Sequence, residues 1–277
     1  MADENGGQVT AAGAAPIPLL ENKDFAATSV FQPENLLREA RRQLGLPEVN
    51  APRVCLLDPD GDIVRHLQAT GTGVRHPGWA CYHTKMWVTD LHGLEVGVVG
   101  LAVGAPFAVL VAEQLSASGA ELILSVTSAG QIRSLGEPPY FVLITKARRD
   151  EGTSHHYRPV SEWSTLGPDL EARLLPALRD VSEPVLAGTS WTTDAPYRET
   201  QLAVDAADAA GIHCVEMEAA ALYAYGAARR RKVVCFAHIT NSMAVNGNDF
   251  EKGSANGALT ALEIAEVAAR SLLSGLS

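Results

Sequence analysis

Val96-Gly97-Val98-Val99-Gly100-Leu101-Ala102-Val103, followed by Gly104-Ala105-Pro106 and then by Phe107 to Ser118, decides the fold. The first eight residues carry no charge and read as a strand, or two, covered on both faces. Gly104-Ala105-Pro106 interrupts the run. Pro106 falls in the first turn of the helix predicted over Phe107 to Ser118, where a missing N–H costs nothing. Gly119 stops that helix, and Leu122-Ile123-Leu124-Ser125-Val126 opens the next buried strand.

The same alternation extends in both directions. Upstream, Val54-Cys55-Leu56-Leu57 is a short apolar run entering the turn Asp58-Pro59-Asp60-Gly61, and a helix opens at Pro33 and ends near Gly45-Leu46-Pro47. Downstream come a strand at Tyr140–Ile144, a helix from Glu199 to Ala210 ended by Gly211, an Ala-rich helix from Ala219 to Arg230, a strand at Lys232–Ile239 and a closing helix from Ala255 to Leu273. Apolar strands alternating with helices indicate an α/β protein with a mostly parallel sheet covered on both faces. Neither an internal repeat nor a domain-scale linker interrupts the chain. One domain is expected over residues 31–277, behind a flexible tail over 1–30.

Composition narrows the function. The 277 residues are 47% hydrophobic and 19% charged, which supports a sizeable core, and the net charge of −10 argues against a general nucleic-acid or membrane-surface role. Cys55, Cys81, Cys214 and Cys235 show neither a C-x-x-C pair nor zinc spacing, so buried free thiols are expected and no metal. The N-terminus lacks the basic and apolar regions of a signal peptide, and no apolar run reaches the roughly 18 residues of a membrane span. A cytoplasmic location is expected.

Val215-Glu216-Met217-Glu218-Ala219-Ala220-Ala221-Leu222-Tyr223 resembles the V-E-M-E-A-A stretch of the nucleoside phosphorylase superfamily, which includes purine nucleoside and uridine phosphorylases and nucleosidases. Five further segments resemble that family in its own order. They are Gly104-Ala105-Pro106, Thr127-Ser128-Ala129-Gly130, the Asp150–Tyr157 segment with its paired His155-His156, Thr192-Thr193-Asp194-Ala195-Pro196-Tyr197, and His238-Ile239-Thr240-Asn241. The resemblance implies a three-layer α/β/α domain with a mixed, mostly parallel central sheet, assembled as a homo-oligomer. It also implies cleavage of the bond between a base and a ribose, with phosphate or water as acceptor and no cofactor.

The chemistry gives these residue types sense. Breaking an N-glycosidic bond builds positive charge on the ribose, and a carboxylate bonded to the sugar hydroxyls both orients the ring and favours that charge. By resemblance Glu218 holds the ribose 2′- and 3′-hydroxyls, Met217 packs under the sugar, and Glu216 supports the site. Asn241 stands where hexameric purine phosphorylases carry an Asp; an amide donates a hydrogen bond to purine N7 but transfers no proton. Trp191, Thr193 and Tyr197 lie in the segment that covers the base, Ser128 and Gly130 in the Gly/Thr loop, and His156 in the segment approaching the ribose. The extra uracil-reading segment of uridine phosphorylases is not evident, which favours a purine-type base. A non-catalytic nucleoside-binding or storage-type protein that kept the fold is the alternative.

One part of the family pattern fails. Relatives that use phosphate carry a Gly-Asp-Pro turn with an Arg two residues after the Pro; here Leu57 replaces the Gly and Gly61 the Arg. A second family Arg is Ser125 here. Asp58, Asp60 and Asp62 would repel phosphate, Arg65, Arg75 or Arg133 could replace the lost charge, and hydrolysis would need a base, for which Glu216 is the candidate.

Overall fold

The computed structural model describes residues 17–241 and 252–273. Of the tail expected over 1–30, residues 1–16 lie outside these. Helix α1 (Pro33–Leu44) precedes β1 (Val54–Asp58), α2 (Asp62–Thr70), β2 (Val74–Arg75), β3 (Met86–Leu91), β4 (Leu94–Gly100), α3 (Ala105–Ala117) and β5 (Leu122–Gln131). The second half holds β6 (Tyr140–Asp150), β7 (Trp163–Thr165), α4 (Pro168–Ala177), β8 (Val185–Thr193), α5 (Gln201–Ala209), β9 (Cys214–Glu216), α6 (Ala219–Arg229), β10 (Lys232–Asn241) and α7 (Ala258–Leu272).

All strands among the described residues join one mixed sheet, with β1 running parallel to both β4 and β5, and β5 parallel to β10. Every residue of β1 is buried, as its unbroken apolar run requires. Helices α1, α3 and α6 cover one face and α2, α4 and α7 the other, giving three layers. The alanines of α6 let it lie close on the sheet, and Ala219 through Gly226 are all buried. The far part of the sheet curls. Because β10 pairs with both β5 and β6, the strands β5, β10, β6, β8 and β9 close into a ring.

Strand β4 ends at Gly100 rather than running on to Val103. Leu101 takes φ +66 and its N–H donates to the Asp58 carbonyl at 2.9 Å, turning the chain outward. Leu101 and Val103 are 63% and 51% exposed, so an apolar run alone could not separate a strand from the loop that leaves it. The four cysteines are buried and unpaired, and no helix among the described residues is long and apolar enough to cross a membrane. Within the described part of the tail, Pro18–Leu20 forms a 3-10 turn near the 3-10 turn Thr153–His156, and Lys23 Nζ lies 2.9 Å from His156 Nδ1.

Candidate active site

The site assembles where β1, β4 and β5 end and where β9 enters α6. Gly61, in a left-handed conformation at φ +74, turns the chain from β1 into α2, and the Asp58 carboxylate accepts the Val64 N–H at 2.9 Å inside that turn. Asp60 is thereby presented to the end of β5, where the Ser128 N–H donates to Asp60 Oδ2 at 2.7 Å. An acid of this chain therefore occupies a backbone donor of the Gly/Thr loop. The family's two arginine positions are Gly61 in the turn and Ser125, buried on β5.

Glu216 and Glu218 flank the start of α6 and are 3% and 1% exposed. Glu216 Oε1 accepts the Ser190 and Thr192 hydroxyls, and Oε2 accepts the backbone N–H groups of Glu218 and Ala219, both at 2.7 Å. Both oxygens are engaged in fastening the first turn of α6 to β8. All four of its hydrogen bonds come from protein donors, so the geometry favours a fastening role over the water-activating role expected from sequence, while burial raises the pKa of Glu216 against the pull of those bonds.

Glu218 is arranged differently. Its Oε1 accepts the Gly104 N–H at 2.7 Å, at the N-terminus of α3, and Oε2 has no hydrogen-bond partner among the described residues. Burial, followed by the Glu216 charge, pushes its pKa up to about 8, while the Gly104 N–H and Thr127 hydroxyl pull the other way. A buried acceptor with an unused oxygen is matched to hydroxyl donors from a ligand. Burial also raises Asp58 to about 7.

The structure gathers part of the expected set. Asn241, 6% exposed at the end of β10, pairs with Gly130 of β5, and Gly130 pairs in turn with Val215 of β9. Ser128, Gly130, Asn241, Glu216, Met217 and Glu218 are thus neighbours. Thr193 is buried beside Thr192, its hydroxyl accepting the Ala195 N–H at 3.1 Å. The aromatic pair does not form a wall. Trp191 packs with Ala207, Ile212 and Val215 and donates its indole N–H to Asp150 at 2.9 Å, while Tyr197 is 99% exposed. Strand alternation explains Trp191: it faces α5, whereas Thr192 faces Glu216. His156 is exposed and meets Lys23, whereas His155 Nδ1 meets the buried Arg149 at 3.2 Å.

Of the three arginines, only Arg65 is local. It binds Asp62 at 2.6 Å, alongside Lys252, also at 2.6 Å from Asp62. Arg75 lies on the exposed β2 and Arg133 pairs with Asp208 of α5. Sequence reading missed the Asp60–Ser128 contact, although the Asp-Pro-Asp-Gly turn placed an acid at the phosphate loop. It also assigns no role to His238, which enters only as part of the His238-Ile239-Thr240-Asn241 stretch.

The partly ring-closed α/β sheet and the buried paired glutamates ahead of an Ala-rich helix give this site its frame. Residues 54–273 match the Phosphorylase superfamily, and the chain belongs to that family. A guanosine phosphorylase from Halorubrum lacusprofundi is 31% identical over 139 residues, which cover 50% of this chain and 57% of that relative, so the chain matches little more than half of its length. A uridine phosphorylase structure from Vibrio fischeri superposes with a TM-score of 0.70 at 20% identity, covering 81% of this chain and 95% of that one. Its complex with 6-hydroxy-1-naphthoic acid gives 0.66 at 19% identity, over 80% and 91% of the two chains.

Proposed function

We propose that this protein cleaves the N-glycosidic bond of a nucleoside, with a purine-type base preferred and with water rather than phosphate as acceptor. Membership of the Phosphorylase superfamily and the similarity to a guanosine phosphorylase support the bond and the base. In this reading Glu218 Oε2 receives the ribose hydroxyls, Met217 lies under the sugar, and Asn241 donates to the departing base. Glu216 is a positioning residue that holds Glu218 at the start of α6. Thr193, Tyr197 and His156 are assigned to the rim of the site, Trp191 supports it from behind through its packing against α5, and a second copy of the chain would complete the homo-oligomer.

The observation that carries the choice of acceptor is the 2.7 Å bond from the Ser128 N–H to Asp60 Oδ2. A phosphate dianion needs backbone donors and guanidinium groups. Here a donor already serves a carboxylate, Arg65 is paired with Asp62, and the two arginine positions are neutral. Each lost guanidinium contact weakens phosphate by roughly 1.5–3 kcal/mol.

The test is base release from a nucleoside panel with and without phosphate, together with identification of the sugar. Phosphate-independent release of free ribose, with purine nucleosides outcompeting uridine, is expected. Strict phosphate dependence with ribose 1-phosphate as product overturns the acceptor assignment, and preference for uridine overturns the base.

A further inference from the structure

Behind Asp60 lies a histidine to which the assignments above give no role. His238, on β10, is 4% exposed and stacks on Phe141 of β6 with ring centroids 4.4 Å apart and planes inclined by 3°. Its Nε2 has no hydrogen-bond partner among the described residues, a costly state for a buried ring nitrogen. His238 lines a cavity of about 10 Å³ together with Asp58, Asp60, Thr127 and Ser128. That is the space one water requires, in a wall polar enough to hold it.

The ring is also fixed in place. Gly257, at φ +76 just ahead of α7, lies so close that a Cβ there would collide with His238 Cε1. Phe141 and Gly257 leave the imidazole little room to swing toward another partner. Burial, followed by the Lys252 charge, pushes its pKa down to about 4, so near neutrality the ring is an uncharged acceptor. Asp60 and Asp62 act in the opposite direction and favour its protonated form.

We propose that His238, one bridging water and Asp60 form a proton relay that serves the attacking water. This rests on the hydrolytic reading above. Asp60 takes a proton from the attacking water while the water oxygen bonds to ribose C1′ and the C1′–N bond breaks. The bonding pair leaves with the base, which gains a proton from solvent. Asp60 hands its proton through the bridging water to His238 Nε2, and the imidazolium returns it to solvent by the same path once the products leave. The sum is nucleoside plus water giving free base plus ribose. Asp60 is the catalytic residue and His238 a positioning residue behind it.

The test compares wild type with His238→Phe, which keeps the stack on Phe141, and His238→Gln, which keeps an acceptor, using a purine nucleoside without phosphate. His238→Phe should lower kcat by on the order of 10²-fold with KM changed less than about threefold, and His238→Gln should recover about tenfold of that loss. A high-resolution crystal structure should show one water between Nε2 and Asp60. Wild-type kcat in a folded His238→Phe variant, or a cavity without water, overturns the relay alone. Absence of base release by wild type overturns the cleavage reading and the relay with it. If His238→Phe does not fold, Asp60→Asn decides. The double variant with His238→Gln should be no slower than Asp60→Asn, because both residues act through one path, and multiplicative losses overturn the proposal.

Discussion

Glu218 combines two properties rarely held by one carboxylate: near-complete burial and an oxygen that no described residue satisfies. In the proposed function, removing it removes a contact that strengthens as positive charge grows on the sugar. Glu218→Ala should therefore lower turnover on a cleaved nucleoside by on the order of 10²-fold or more, and steady-state kinetics would reveal its dispensability if turnover stayed at wild-type level. The role proposed for Asn241 is narrower. Asn241→Ala should weaken purine cleavage by roughly 1–3 kcal/mol, the cost of an unmade buried hydrogen bond, and should leave pyrimidine cleavage less affected. Equal losses on both substrate classes would remove its role at the base.

At the scale of elements, the start of α6 is where sequence and structure meet. Glu216 fastens that turn through Ser190, Thr192 and two backbone N–H groups. Glu216→Gln replaces an acceptor with a donor facing donors, so it should destabilise the fold by about 2–3 kcal/mol in urea titrations. A variant as stable as wild type would contradict this account. The Glu-Met-Glu stretch was legible because a short string of contiguous residues carries both the fastening and the site. The strand–helix alternation around Val96 and Leu122 was legible for a similar reason, since buried strands leave apolar runs. Strands β3 and β8 and helix α4 left weaker traces: β3 reads Met86-Trp87-Val88-Thr89-Asp90-Leu91 with both polar and apolar residues, and α4 contains an internal Pro176. The Asp60–Ser128 contact joins two loops distant in sequence, and no local pattern encodes such a meeting.

At the scale of the whole molecule, buried acids set the response to pH. Glu218 lies at about 8 against an ordinary 4.5, and Asp58 at about 7 against 3.8. Both are raised, so their neutral forms favour the fold fully below the unfolded values, and that contribution is lost as pH rises through 7 to 8. His238 is lowered from 6.5 to about 4 and opposes the fold only below 6.5. Stability measured by urea titration should therefore fall between pH 6.5 and 8, by about 1 kcal/mol per pH unit, and the fall should be shallower in Glu218→Gln. A flat profile would exclude these shifts. The ring of β5, β10, β6, β8 and β9 has its own consequence, in the order of synthesis. The strand that closes it, Lys232–Asn241, is the last of the described strands to leave the ribosome, after the edges of β5 and β6 have already been made. Until it arrives, two strand edges stand open to any neighbouring chain, so nascent or prematurely terminated copies ending before residue 232 should aggregate while the finished chain does not.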